Sequence, residues 1–167
     1  MHHTCLILFT WLHILAAAAW TGGMMFLSFA LVPALRALPD RKAGIALIQS
    51  TGRRFKIIGW IALAILILTG IGNLWARGLF PALHSPDFWR FGYGHILGIK
   101  LALVGITLLI SGLHDFAVGP RAIEVMRKNP DAPATKKLRL LASWMGRANF
   151  LLALAIILCG VLLIRGV

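Results

Sequence analysis

The stretch Leu12–Gly23, LHILAAAAWTGG, decides how the rest of the chain is read. It sets an ionisable side chain, His13, inside an apolar run from about Cys5 to Val32, longer than the roughly 20 residues that cross a bilayer as a helix. An imidazole in hydrocarbon gives up its hydrogen bonds to water, so it marks a candidate functional site. On a 3.6-residue helix, His13, Ala16, Ala17, Trp20 and Met24 share one face. That face combines a ligand, a gap and an aromatic wall.

Composition points to the same solvent. The 167 residues are 59% hydrophobic and only 13% charged, with a mean hydropathy of +0.85. A soluble domain of this size cannot hide that much apolar surface, so the bilayer is the partner. The net charge of +12 would suggest nucleic acid in a soluble protein; in a membrane protein it mainly sets orientation, and no nucleic-acid partner is expected. Cys5 and Cys159 form no CxxC or metal-knuckle spacing and read as small apolar fillers.

Hydropathy predicts an all-α, integral membrane four-helix bundle forming one domain over residues 1–167, with helices at about 5–32, 57–75, 86–116 and 148–164. Pro33 and Pro39 mark the exit of the first helix, and Pro130 the end of a short surface helix from Pro120 to Asn129. Ser85, Pro86 and Asp87 supply a cap, a first-turn proline and an acid for the start of the third. Residues 36–56 carry Arg36, Arg41, Lys42, Arg53, Arg54 and Lys56 against Asp40 alone, though from Arg41 onward nothing firmly breaks a helix. Residues 117–147 carry Arg121, Arg127, Lys128, Lys136, Lys137, Arg139 and Arg147 against Glu124 and Asp131. Those two loops therefore face the cytoplasm, which puts both termini outside a bacterial-type inner membrane. Trp60 and Trp75 suit the interfaces, while Gly59, Ala62, Ala64, Gly70 and Gly72 let a neighbouring backbone or a flat cofactor approach.

Three stretches carry a family resemblance. LHI at Leu12–Ile14, with Trp20 and Gly23 seven and ten residues after His13, resembles the first helix of HemJ-type and CopD-type integral membrane proteins. RRFKIIGWIALAILILTG (Arg53–Gly70) and IKLALV (Ile99–Val104) resemble their second and third helices. The HemJ side of the resemblance implies heme b and porphyrin oxidation. The CopD side implies copper uptake or resistance.

Counted from Thr4 and Pro86, His13 and His95 each lie nine residues in from the same side, about 13 Å deep at 1.5 Å per residue. Two imidazoles at one level are what a six-coordinate heme requires. The expectation is a heme b redox protein, transferring electrons or oxidising a small molecule, with His13 and His95 as iron ligands between helices one and three. Trp20 packs beside the ring, and Ala16, Ala17, Gly92, Gly94 and Gly98 leave room for it. His114 is nineteen residues beyond His95, about 28 Å, and is either the rival ligand, a second site or a polar helix cap. Lys100 has no intramembrane carboxylate, and a central lysine costs about 2.5 to 3.5 kcal/mol to insert, so it snorkels, is neutral, or meets an anion such as a propionate or a quinone headgroup. If the chain is an enzyme, Lys100 is its candidate catalytic group. The alternative is a CopD-type copper protein with His2, His3, His13 and Met24 as way stations; His2 and His3 follow Met1, where amine, amides and imidazole hold Cu(II) in a square plane. Embedded acids are absent, which weighs against a proton-coupled carrier. A homo-oligomer and a cofactor-free scaffold both stay open.

Overall fold

The computed structural model describes residues 2–129 and 132–166, and only the backbone of His2 and Arg41. Among these the chain is helical throughout its long elements, with no strand. Four apolar rods are long enough to cross a membrane: His3–Arg36, Lys42–Ala76, Gly92–Lys128 and Pro133–Arg165.

The first rod is α1 (His2–Met25), a π-helical stretch Phe26–Leu31, and α2 (Val32–Arg36). α3 (Arg41–Ala76) starts where Asp40 accepts hydrogen bonds from the backbone N–H groups of Lys42 and Ala43 at 2.9 and 3.1 Å. The third rod is α4 (Gly92–Leu113), a second π-helical stretch His114–Val118, and α5 (Gly119–Lys128). The last is α6 (Pro133–Arg165), stopped by Gly166 at φ 72°. The sequence placed loops at residues 36–56 and 117–147; most of both is helix. Hydropathy locates the part of a rod that lies in lipid, whereas the rod itself continues until a capping or breaking residue stops it. At 36 and 33 residues, α3 and α6 run about 54 and 50 Å, well past a hydrocarbon core of about 30 Å.

A second correction concerns the third helix. Ser85 and Asp87 do not start it: Pro81–His84 and Pro86–Trp89 are single 3-10 turns, pinned together by Trp89 Nε1 donating to the Leu83 carbonyl at 3.0 Å. Phe91 is extended and Gly92 sits at φ 58°, so the helix begins only there. Gly94 then lies directly against the Phe88 carbonyl, and Trp89 covers Gly98.

The main packing partners are α1 with α3 and α4 with α6, with α6 also touching α1. The core lies toward the end that carries the lysines and arginines of α2, α3 and α5, here the basic end. There Trp20 and Met24 of α1 meet Ala62 and Leu63 of α3 and Ala153 of α6, with Leu108 of α4 against them. Small residues make the close approaches: Phe9 stacks into the notch at Gly72, Phe55 into the one at Gly23, and the Trp20 indole rests on Gly59. Outward faces are apolar, with Trp11, Ile14, Ile61, Leu68, Leu109, Leu151 and Leu158 among the exposed side chains, as lipid contact demands. The chain is a multi-pass membrane protein.

Candidate functional site

Away from the basic end, the polar side chains of the four rods converge. His13 lies one helical turn past Thr10 on α1, and both reach α3: Thr10 Oγ1 donates to Asn73 Oδ1 at 2.9 Å, and His13 Nδ1 lies 2.8 Å from Thr69 Oγ1. Gly70 gives the imidazole its space, since a Cβ there would stand 3.6 Å from His13 Cε1.

The Thr69 hydroxyl decides the form of the imidazole. We assign its single proton to the Ile65 carbonyl, the shortest of its contacts at 2.6 Å, with the Leu66 carbonyl at 3.3 Å on the same side, so that toward His13 the oxygen accepts. With that assignment Nδ1 is the protonated nitrogen of the neutral ring and Nε2 carries the lone pair. A buried donor-side anchor of this kind is what orients a metal-binding imidazole.

Lys100 of α4 and Cys159 of α6 complete the layer. Lys100 is close enough for its charge to act on His13 and to interact with Cys159, and its Nζ lies 3.8 Å from where a Cβ on Gly160 would be. No carboxylate joins it: the ion pairs among the described residues are Arg90 with Asp87, His114 with Asp115, and Lys128 with Glu124. Cys159 is a buried free thiol; Cys5, also free, is half-buried.

The heme expectation does not fit this geometry. Because α4 begins at Gly92, His95 is three residues in, about 4.5 Å along the axis, while His13 is eleven residues past His2, about 16 Å. The equal counts from the two helix starts, on which one shared level was expected, therefore do not hold, and His95 is exposed. Trp89 and Phe88 occupy the space assigned to a macrocycle at Gly98 and Gly94. Ala16 is buried against α3 and Ala17 half-buried, while Trp20 packs into the core rather than beside an open gap.

His114 belongs elsewhere. Its Nδ1 pairs with Asp115 Oδ1 at 2.9 Å, while Asp115 Oδ2 accepts from Trp60 Nε1 at 3.0 Å and the Asp115 carbonyl accepts from Lys56 Nζ at 3.2 Å. This latch ties α3 to the third rod at the basic end. Of the copper way stations, Met24 is buried in the core and His3 is exposed, whereas Met1 and the His2 side chain lie outside the described residues, as does Pro130. No group of three or more His, Cys, Asp or Glu side chains that could hold a metal occurs among the described residues.

Sequence reasoning missed Thr69, although it is the one hydroxyl between Ile57 and Gly72. It also missed the latch and the buried bond from Asn149 Nδ2 to Ser111 Oγ at 2.9 Å, which joins α6 to α4.

These are the features of a small polytopic protein with a polar layer sunk in its bundle. The family described as Copper resistance protein D, CopD, matches residues 49–163. The chain belongs to that family. The match spans Thr69, Lys100 and Cys159 and begins after His13; the HemJ side of the resemblance gains no support. An uncharacterised protein of Aquifex aeolicus (strain VF5) is 30% identical over 157 residues, 92% of each chain. No solved structure matches.

Proposed function

We propose that this protein moves copper through the bacterial inner membrane as Cu(I), with His13 and Cys159 as the ligands of the intramembrane layer. The observation that carries this reading is the 2.8 Å contact of the Thr69 hydroxyl with His13 Nδ1, which orients the ring and, with the hydroxyl proton on Ile65, assigns the lone pair to Nε2 in a bundle of the copper-resistance family. Imidazole and thiolate are the borderline and soft donors that Cu(I) accepts.

Lys100 gives the layer its transport character. Cu(I) bound by Cys159 takes the place of the thiol proton, and the Lys100 side chain, paired with no carboxylate among the described residues, then sets an uncompensated positive charge beside the ion. With two ligands and that charge the ion is held weakly, as a transit site requires. Met24, deeper in the bundle, offers a thioether further along the path.

The test uses proteoliposomes with a membrane-impermeant, colour-forming Cu(I) chelator inside. The expected result is that wild type colours the lumen, while His13→Ala and Cys159→Ser each remove most of the rate. Equal rates in all three and in empty vesicles would refute the proposal.

A further inference from the structure

We infer that the basic end carries a site for the phosphate of an anionic phospholipid, built by Arg36 at the end of α2 and by Arg139 and Arg147 of α6, with Ser143 between them.

One ring contact sets the register. Phe29 and Phe150 meet edge to face at 5.8 Å, which fixes the first rod against α6. From that contact both rods run toward the basic end. Arg36 lies seven residues beyond Phe29, about 10 Å along the axis. On α6, Arg147, Ser143 and Arg139 lie three, seven and eleven residues from Phe150, at about 4.5, 10 and 16 Å. Arg36 is thus level with Ser143 and midway between the other two arginines. On α6, a regular helix over this range, Arg139, Ser143, Arg147 and Phe150 follow one stripe at intervals of four, four and three. Consistently, Arg139 and Arg147 are the charges that act on Arg36.

Three guanidinium groups so placed repel one another, and no carboxylate among the described residues pairs with any of them. Guanidinium forks bind phosphate oxygens in bidentate fashion, and Ser143 adds a hydroxyl donor. The surroundings say where the phosphate comes from. Leu140, Leu141 and Trp144 beside the cluster are 59%, 48% and 58% exposed, and the Arg147 guanidinium stands 5.2 Å over the Trp144 ring. Apolar side chains and an interfacial tryptophan place the arginines at headgroup depth, where the ligand arrives in the plane of the bilayer.

The experiment uses the full chain, stripped of lipid in an uncharged detergent, and follows thermal unfolding and retained lipid by native mass spectrometry. Phosphatidylglycerol is expected to raise the midpoint and to be retained as a one-lipid adduct; phosphatidylcholine and inorganic phosphate are not. Arg36→Gln/Arg139→Gln/Arg147→Gln is expected to bind phosphatidylglycerol at least tenfold more weakly, whereas Lys42→Gln/Lys136→Gln/Lys137→Gln binds as wild type. Should the arginine triple variant fail to fold, Arg36→Gln alone is expected to weaken binding several-fold. Equal response to phosphatidylcholine, a full response to inorganic phosphate, equal loss in both triple variants, or undiminished binding by the arginine variants would overturn the inference.

Discussion

Thr69→Val tests the chemistry of the intramembrane layer most directly. Valine keeps the shape of threonine and removes the hydroxyl that fixes the His13 ring. The bond is 2.8 Å long and half-buried, and losing such a bond inside a membrane bundle costs stability of only about 0.6 to 1.5 kcal/mol. Its effect on metal binding is larger, because without the acceptor on Nδ1 the imidazole can exchange its proton between nitrogens and rotate. Loss of an orienting partner typically weakens a metal site by about 10 to 100-fold, or roughly 1.4 to 2.7 kcal/mol. Competition between the detergent-solubilised protein and a colorimetric Cu(I) chelator reads this directly. The expected series is Thr69→Ser equal to wild type, Thr69→Val 10 to 100-fold weaker than both, and His13→Ala weaker still, all with similar unfolding midpoints. Thr69→Val binding like wild type while His13→Ala loses copper would refute the hydroxyl's role. Indifference of both would refute His13 as a ligand.

Three further outcomes rest on packing and hydrogen bonding. Gly94→Ala would drive a Cβ into the Phe88 carbonyl, and a thermal melt in detergent should show a loss of about 1 to 3 kcal/mol, against a small effect for Gly105→Ala, where the space is open. Trp60→Phe removes the indole donor to Asp115 and is expected to destabilise by about 1.5 to 3 kcal/mol, a charged hydrogen bond, with hydrogen exchange rising first around the π-helical stretch His114–Val118. Ser111→Ala leaves the buried Asn149 amide without its acceptor and should destabilise by about 1 to 2 kcal/mol, whereas adding Asn149→Leu should restore most of it; additive losses would show that the two do not interact.

What the sequence discloses divides along physical lines. Four apolar runs in a chain of few charges can only be membrane rods, and His13 stands out because an imidazole in such a run has no solvent to satisfy it. The limits of the rods are less visible. Hydropathy falls at Arg41–Lys56 and at Pro133–Arg147, yet the helices continue, since helix formation there depends on an Asp40 cap and the lack of a breaker rather than on apolarity. The start of α4 is hidden because Ser85-Pro86-Asp87 is a valid helix start, overruled by the Phe88 and Trp89 packing and the left-handed Gly92. Counting from Pro86 instead of Gly92 is what makes His95 look level with His13. The pairs His13 with Thr69, Trp60 with Asp115, and Arg36 with Arg139 and Arg147 link elements far apart in sequence. No periodicity within one helix contains that information.

The two π-helical stretches, Phe26–Leu31 and His114–Val118, lie on different rods, each just before its final helical segment. A π turn takes about one residue more than an α turn without displacing the helix beyond it. Each rod therefore holds roughly one residue of slack, and a single deletion inside Phe26–Leu31 or His114–Val118 can be absorbed by tightening the coil. The same deletion in the regular part of α4 would turn every later side chain by about 100°, carrying Thr107 and Ser111 out toward lipid. The two rods thus each contain one joint at which a change of length can be absorbed.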